Sequence, residues 1–102
     1  MLELAYRTDA IDTNVGRFLD YMAVERGVSG NTLAAYKNDL RRLTEFVEAR
    51  FPDGDSAVMW KEVDADSMAS YVLELHERGY SNTTRARKVA SARSFFAFLM
   101  DE

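Results

Sequence analysis

The sequence predicts an all-α fold, a compact bundle of four helices arranged as two helical hairpins joined by a loop at about residues 51–63. Three observations lead to this prediction. Apolar residues recur every three or four positions in four segments, no segment alternates with a period of two for long enough to form a strand, and a Gly-apolar-Ser triplet separates the two segments of each pair. A chain of 102 residues can bury one hydrophobic core but not two, so we predict a single domain.

Apolar stripes predict the first two helices. The first helix covers about residues 12–26, and the second runs from Ser29 to about Arg50, where the stripe is longest and most regular. Each stripe directs one face of its helix towards a core. The stripes consist of Ile11, Val15, Phe18 and Met22, with Leu19 alongside, in the first helix, and of Leu33, Tyr36, Leu40, Leu43 and Val47 in the second.

The segment FPDGDSAVMWKEVD, which starts at residue 51, predicts the loop between the hairpins. Pro52 has no N–H donor and a fixed φ, Gly54 favours a turn, and Asp53 and Asp55 keep that turn hydrated. The aspartates superficially resemble a calcium-binding loop, but the glycine is misplaced and the twelfth position lacks a glutamate. We therefore predict a hydrated loop without a metal ion.

Two further helices follow the loop. The third begins at a cap provided by Asp64 or Asp66 and ends at Gly79, and the fourth runs from about Ser81 to the end of the chain. The stripe of the third helix consists of Met68, Tyr71, Val72 and Leu75, and that of the fourth consists of Val89, Ala92, Phe96 and Leu99, with Phe95 alongside.

The joints inside the two hairpins share a sequence, ERGVS at 25–29 and ERGYS at 77–81. Each glycine suits the left-handed residue that ends a helix, and each serine suits the N-cap of the next helix. Val28 and Tyr80 are expected to fold back on the preceding helix, as the apolar residue after such an end does. Val28 is also placed to pack on Leu33, as a hydrophobic staple at the start of the next helix. In the second joint Arg85 stands at the position equivalent to Leu33, so we expect no such staple there.

Composition excludes several classes of function. The absence of Cys rules out disulfides and thiolate chemistry, and His76, as the only histidine, cannot form a histidine-rich zinc site. The sequence contains no glycine-rich phosphate loop and no Ser-His-Asp set. We predict no cofactor, no metal and no enzymatic activity in this chain by itself. The first residues lack a signal-peptide pattern and no apolar run could cross a bilayer, so a cytoplasmic protein without a membrane partner is expected.

Positive charge is concentrated in two segments of a chain whose net charge is −4. Residues 31–50 hold four bases against three acids, and residues 80–100 hold four bases and no acid, whereas residues 51–79 hold two bases against seven acids. The two basic segments are those that follow the repeated joints. The net charge argues against a nucleic-acid partner, but phosphate binding depends on local potential.

The fourth helix carries four cations within nine residues, beside the free N–H groups of a helix start, a pattern typical of phosphate binding. A hydrated helix face explains the same residues equally well. If the second and fourth helices lie side by side, their basic edges form one surface, from which Arg87 and Lys88 are the side chains expected to reach into a DNA groove. The candidate contacts are Ser29, Thr32, Lys37, Arg41, Ser81, Thr83, Thr84, Arg85, Arg87, Lys88 and Arg93.

Two ordered motifs, SGNTLAAYKNDL at 29–40 and GYSNTTRARKVASARSFFAFL at 79–99, resemble the N-terminal core-binding domain of the tyrosine recombinase and phage integrase family. The resemblance spans about residues 12–102. It implies a SAM-like four-helix domain that forms half of a C-shaped clamp on duplex DNA, with the second and fourth helices facing the core recombination site. The positions that match are Ser29, Asn31, Thr32, Leu33, Tyr36, Lys37, Asp39 and Leu40 in the first motif, and Thr83, Arg87, Ser91, Ala92, Arg93, Phe96 and Leu99 in the second.

The same resemblance implies what the chain lacks. The catalytic Arg, Lys, His, Arg and nucleophilic Tyr of the family belong to a separate C-terminal domain, and no matching block occurs here. We therefore interpret residues 1–11 as an N-terminal extension and residues 12–102 as the core-binding domain of a longer recombinase. The expected partners are double-stranded DNA, the C-terminal catalytic domain of the same chain, and recombinase subunits in a DNA-bound tetramer.

An alternative function is a helical protein–protein interaction module without DNA binding. The acidic net charge favours it, as do Phe95 and Phe98, because the stripe of the fourth helix is expected to leave one of these aromatic rings exposed.

Overall fold

The computed structural model of the protein describes residues 12–52 and 56–101, with the side chains of 56–58 excepted. This part of the chain is all helical and contains no strand, which confirms the predicted all-α fold. The predicted extension at 1–11 and the turn at 53–55 lie outside the described residues. The five helices are α1 (Thr13–Val24), α2 (Gly30–Arg50), α3 (Ser56–Glu62), α4 (Ala65–Glu77) and α5 (Asn82–Met100), of which α1, α2, α4 and α5 are the four predicted ones.

Helix α3 corrects the prediction of a loop at about 51–63. Its residues Met59 and Trp60 are buried, and the Trp60 indole N–H donates to the Asp12 carboxylate at 2.9 Å. That carboxylate also accepts the N–H groups of Asn14 and Val15 and so caps α1. Two helical turns are too short to show a periodic stripe, and a helix of this length depends on burial for its stability. The sequence pattern therefore could not reveal it.

Helices α2 and α5 pack against each other at the centre of the molecule, and α1 packs against both. Helix α3 covers α1 and α2, while α4 packs on α5. The Phe18 ring lies at the meeting point of α1, α2 and α5, with edge contacts to Tyr36 at 5.7 Å, Phe95 at 5.7 Å and Phe98 at 5.5 Å between ring centroids. No helix within residues 12–52 and 56–101 is long and apolar enough to span a membrane.

Most predicted stripe residues are buried or packed against the core, but two expectations about apolar side chains are wrong. Phe95 is fully buried and Phe98 is half-buried against Phe18 and Tyr21, so the expectation that one of these two rings is exposed is wrong. Val72 was assigned to the stripe of the third helix, yet its side chain is 40% exposed. The α4 stripe is therefore narrower than predicted.

The two ERG joints form the predicted helix ends and starts. Gly27 and Gly79 have φ values of 61° and 86°, in the left-handed region that glycine tolerates best. The Tyr80 N–H bonds the Leu75 carbonyl at 3.3 Å while the Gly79 N–H bonds that of His76 at 3.0 Å, the pair of bonds that defines a Schellman end. The N-caps of α2 and α5 are Ser29 and Ser81, as predicted, and that of α4 is Asp64 rather than Asp66.

The second joint replaces the missing staple with hydrogen bonds. The Arg85 guanidinium donates through Nη1 to the Tyr80 carbonyl at 2.8 Å and through Nη2 to the Asn82 side chain. Both Val28 and Tyr80 are partly buried against the core, as the sequence predicts. The joints thus share the glycine and serine but are closed by different contacts.

Replacing Gly79 by Ala is expected to lower the free energy of unfolding by about 1 to 2 kcal/mol, because a Cβ is disfavoured at positive φ. Urea unfolding followed by circular dichroism measures the change. Gly30→Ala is the matched control, since Gly30 has no positive φ and open space around its Cα; we expect a change within about 0.5 kcal/mol. Equal losses in the two variants would contradict the left-handed conformation of Gly79.

Candidate nucleic-acid interface

A buried carboxylate joins helices α2 and α5. Asp39 of α2 is 1% exposed and accepts four hydrogen bonds from three residues of α5. Arg87 donates through Nε at 3.1 Å and through Nη2 at 2.8 Å, the Lys88 ammonium donates at 3.0 Å, and the Ser91 hydroxyl donates at 2.8 Å. We call these four residues the Asp39 cluster. It shows that the two basic helices do lie side by side, a point that the sequence left open.

The donors around Asp39 keep it ionised. Burial alone would raise the pKa of this carboxyl, but the hydrogen bonds from Arg87, Ser91 and Lys88, together with the positive charge of Lys88, outweigh burial and lower the pKa below its ordinary value. Reciprocally, the hydrogen bond with Asp39 raises the pKa of Arg87. A cluster of one carboxylate and two cations has a net charge of +1, which lies at the junction of α2 and α5.

Lys88 is not on the surface, although the sequence predicts that it reaches into a groove of DNA. Its side chain is 3% exposed, its ammonium bonds Asp39, and it lies 5.2 Å from the centroid of the Tyr80 ring. A buried ammonium needs a counter-ion, and the aromatic face adds further attraction to it. Lys88 is buried because Asp39 lies opposite it and supplies the counter-ion. Tyr80 covers this buried cation, a role that Val28 in the first joint does not have.

A surface groove of about 400 Å³ lies above the cluster, between α2, α5 and the end of α4. Four arginines and one lysine line it against a single glutamate, so its potential is positive in a chain with a net charge of −4. We call it the α2/α5 groove. Its lining residues are Asn38, Arg41, Arg42, Glu45, Arg78, Tyr80, Thr84, Arg87 and Lys88.

The arginines of the groove differ in their bonding. The Arg41 side chain is exposed and makes no hydrogen bond or ion pair with another side chain in the described part of the chain, and Arg87 is half-exposed while it bonds Asp39. Arg42 pairs with Glu45, and Arg78 pairs loosely with Glu74 of α4. The exposed pair of Arg78 is weak and readily exchanged. The guanidinium groups of Arg41, Arg78 and Arg87 are therefore accessible to an anion, whereas the Arg42 side chain is only 16% exposed.

Sequence reasoning missed Asn38, Arg42 and Arg78 as groove residues. Arg78 stands in an acidic segment, so its charge was not associated with the basic helices. It is the C-cap of α4, one residue before Gly79, and the turn that follows leads straight into α5. The signal that could have identified Arg78 is this position in the joint, because the chain reverses direction there beside the start of α5.

Hydroxyl pairs at the starts of α2 and α5 have the same geometry. The Ser29 and Thr32 hydroxyls lie 3.0 Å apart and those of Ser81 and Thr84 lie 3.1 Å apart, and each serine also accepts the threonine N–H at 3.2 Å. Two hydroxyls that share one hydrogen bond leave one O–H hydrogen outside the cap. Each helix start therefore keeps a hydroxyl donor, and Thr84 brings one pair to the groove, beside the exposed Thr83.

Three predicted cations do not line the groove. Lys37 is half-buried on α2, and Arg85 is engaged by the Tyr80 carbonyl and Asn82. Arg93 is exposed but follows Arg87 by six residues, about 240° further around the helix, so the two side chains leave α5 in different directions. The structure thus brings Arg41, Thr84, Arg87 and Lys88 together at one groove, and the other candidates do not line it. Those others are Ser29, Thr32, Lys37, Ser81, Thr83, Arg85 and Arg93.

Comparison with known proteins identifies the family. Residues 15–102 match the family model described as "Phage integrase, N-terminal SAM-like domain". The chain belongs to the phage integrase family. It is 42% identical to the tyrosine recombinase XerC of Roseiflexus sp. (strain RS-1), over 87% of this chain and 27% of that relative. It is 36% identical to the tyrosine recombinase XerD of Agrobacterium fabrum (strain C58 / ATCC 33970), over 83% of this chain and 24% of that protein.

The chain therefore spans about a quarter of the length of the curated relatives it matches. No solved structure matches it. The family resemblance predicted from the two motifs is confirmed. The structure also shows which contacts some of the motif residues make. Asp39 of the first motif meets Arg87 and Ser91 of the second in the Asp39 cluster. The two motifs of this chain are thus joined by the contact that holds their helices together.

Replacing Asp39 by Asn is expected to lower the free energy of unfolding at pH 7 by about 3 kcal/mol, because Lys88 loses its buried counter-ion. The double variant Asp39→Asn/Lys88→Met removes both buried charges and is expected to recover most of that loss. Urea unfolding measures all three proteins. A single variant as stable as the unaltered chain would contradict the role of the cluster.

Acid should weaken the cluster. The pKa of Asp39 is lower in the folded than in the unfolded chain, so its stabilisation is complete above the unfolded pKa, near 3.8, and disappears as the pH falls through the folded pKa. Between pH 6 and pH 2, the unaltered chain should therefore lose more stability than Asp39→Asn/Lys88→Met. Unfolding curves collected across this range test this difference. Parallel pH profiles of the two proteins would contradict a lowered pKa of Asp39.

Proposed function

We propose that this chain is the DNA-binding N-terminal domain of a site-specific tyrosine recombinase and that it grips duplex DNA at the recombination core site through α2 and α5. The observation that carries the proposal is the α2/α5 groove, where cations from both motif helices gather although the chain is acidic. Membership of the phage integrase family and the relatives named as tyrosine recombinases support it.

The groove suits the DNA backbone rather than a small anion. It is open, it combines four guanidinium groups with the Thr84 hydroxyl, and exposed helix starts extend the surface along both helices. Guanidinium and hydroxyl donors bind phosphate without reading sequence, and their main energetic contribution is release of counter-ions. We assign Arg41, Arg87 and Thr84 to direct phosphate contact, with Arg42 and Arg78 as further cations.

The remaining candidates take supporting places in the proposal. The helix-start residues extend the donor surface, and Lys88 acts from the interior by neutralising Asp39. Lys37, Arg85 and Arg93 are flanking cations that a wider DNA footprint would reach. The helix-start residues are Ser29, Thr32, Ser81 and Thr83.

The whole protein, in this proposal, is a tyrosine recombinase that cleaves and rejoins DNA strands. Residues 12–102 form its core-binding domain, residues 1–11 precede that domain, and catalysis belongs to a C-terminal domain that acts with further recombinase subunits in a DNA-bound tetramer. No residue of the present chain is assigned a catalytic role.

One observation favours the alternative, a helical protein-interaction module. Val72 and Leu73 of α4 are 40% and 57% exposed, and adjacent aliphatic side chains at a helix surface are typical of protein contacts. Such a contact is compatible with DNA binding through α2 and α5. Only the DNA titration below separates the two functions.

The isolated chain is expected to bind duplex DNA with a Kd on the order of 10⁻⁴ to 10⁻⁶ M, weakening steeply as salt rises, since the contacts are to phosphates. Fluorescence anisotropy of a labelled duplex at low and moderate salt measures both the affinity and its salt slope. Absence of binding at low salt, or an affinity that ignores salt, would leave the protein-interaction module as the better function.

Arg41→Ala and Arg87→Ala are each expected to weaken this binding several-fold and to reduce the salt slope by about one, because each removes one phosphate contact. Arg26→Ala is the matched control, an exposed arginine outside the groove. We expect it to leave affinity nearly unchanged. Equal effects at Arg26 and Arg87 would show that overall charge, not the groove, attracts the duplex.

A further inference from the structure

The Arg87 guanidinium is held along one edge only. A guanidinium has five N–H donors, and Asp39 takes the Nε hydrogen and one of the two Nη2 hydrogens. The opposite edge, formed by Nη1 and the second Nη2 hydrogen, presents two parallel donors that match two phosphate oxygens. The side chain is 51% exposed and lines the α2/α5 groove, so this second edge is accessible from the groove.

The charges of the cluster allow the held arginine to remain attractive to an anion. A carboxylate paired with Arg87 alone would cancel its charge. Lys88 bonds the same Asp39 from the interior, at 3.0 Å, so the cluster as a whole keeps one positive charge, and Arg87 is its exposed member. A phosphate in the groove therefore meets a cation of fixed orientation that belongs to a cluster of net positive charge.

Asp39 itself cannot easily move. It is buried, and Lys88 and Ser91 hold it in addition to Arg87. An arginine that is already ordered loses less side-chain entropy when it binds, which is the general advantage of preorganisation.

We propose that Asp39 is a positioning residue for phosphate binding: it fixes one edge of Arg87 so that the other edge binds one backbone phosphate in the α2/α5 groove, and it stays bonded to Arg87 in the complex. The inference rests on the proposed DNA-binding function and deepens it. Thr84, one helical turn before Arg87, adds a hydroxyl donor to the same groove.

The first test needs only the unaltered ¹⁵N-labelled chain and inorganic phosphate. The Nε–H signal of Arg87 should exchange slowly with water, and phosphate should shift that signal while leaving the exchange slow, because the anion binds the opposite edge. Faster exchange on adding phosphate would mean that the anion pulls Arg87 away from Asp39. Either that result or the absence of a shift overturns the proposal.

The second test is a double-mutant cycle on duplex binding. Asp39→Asn/Lys88→Met leaves the net charge unchanged and is expected to weaken binding several-fold, as much as Arg87→Ala, the size expected for one charge-assisted contact. Adding Arg87→Ala to the double variant should then cost nothing further. Ser67→Ala is the matched control: it removes a buried hydroxyl of α4 that bonds neither Asp39 nor Arg87, and should bind normally. Circular dichroism confirms that each variant is folded.

The outcomes separate the two proposals. If the unaltered chain does not bind duplex, or if Arg87→Ala binds as well as it, the proposed function fails, and the phosphate titration still decides the role of Asp39. If Arg87→Ala weakens binding but Asp39→Asn/Lys88→Met does not, Asp39 has no positioning role while the proposed function stands. A loss in Ser67→Ala equal to that in the double variant would also overturn the inference, since it would indicate general loosening of the bundle.

Discussion

The contact between Asp39 and α5 is the constraint on which the rest of the structure depends. It joins α2 and α5, the two longest helices of the bundle. It also fixes the rotation of α5 against α2, because Arg87, Lys88 and Ser91 can all reach one carboxylate in only one arrangement. A buried ion cluster contributes little net stability, since desolvation offsets most of the attraction, but an alternative rotation would leave charges buried without partners. The cluster therefore determines how α2 and α5 pack, rather than how stable the packed state is.

This constraint also shapes the surface. With the rotation of α5 fixed, Arg87 emerges beside Arg41 of α2, and the Schellman end at Gly79 brings Arg78 to the same place. The second joint contributes Thr84 of its serine–threonine hydroxyl pair to the groove, whereas the matching pair of the first joint does not line it. A basic groove thus arises in an acidic chain without any basic segment longer than a few residues. Local arrangement, and not net charge, determines the potential that a phosphate would encounter.

The two sequence motifs contain buried as well as exposed positions, and the Asp39 cluster joins both kinds. Arg87 bonds the buried carboxylate with one edge and faces the groove with the other, so a single side chain serves both the helix contact and the candidate interface. Lys88, its neighbour in the RARK segment, is wholly interior. Adjacent cations in a sequence can therefore have opposite environments, since successive helical residues point about 100° apart.

The sequence by itself determined the four long helices, their caps at Ser29 and Ser81 and the family, because helical periodicity and capping are local and depend on residues within about one turn. Only the tertiary structure decided the rest. Helix α3 exists through burial rather than through a periodic stripe, and Lys88 is interior because a carboxylate 49 residues away lies opposite it. The groove likewise joins three helices whose relative rotation no local pattern encodes. Contacts between distant segments depend on how whole helices pack, and that information is spread over the entire core.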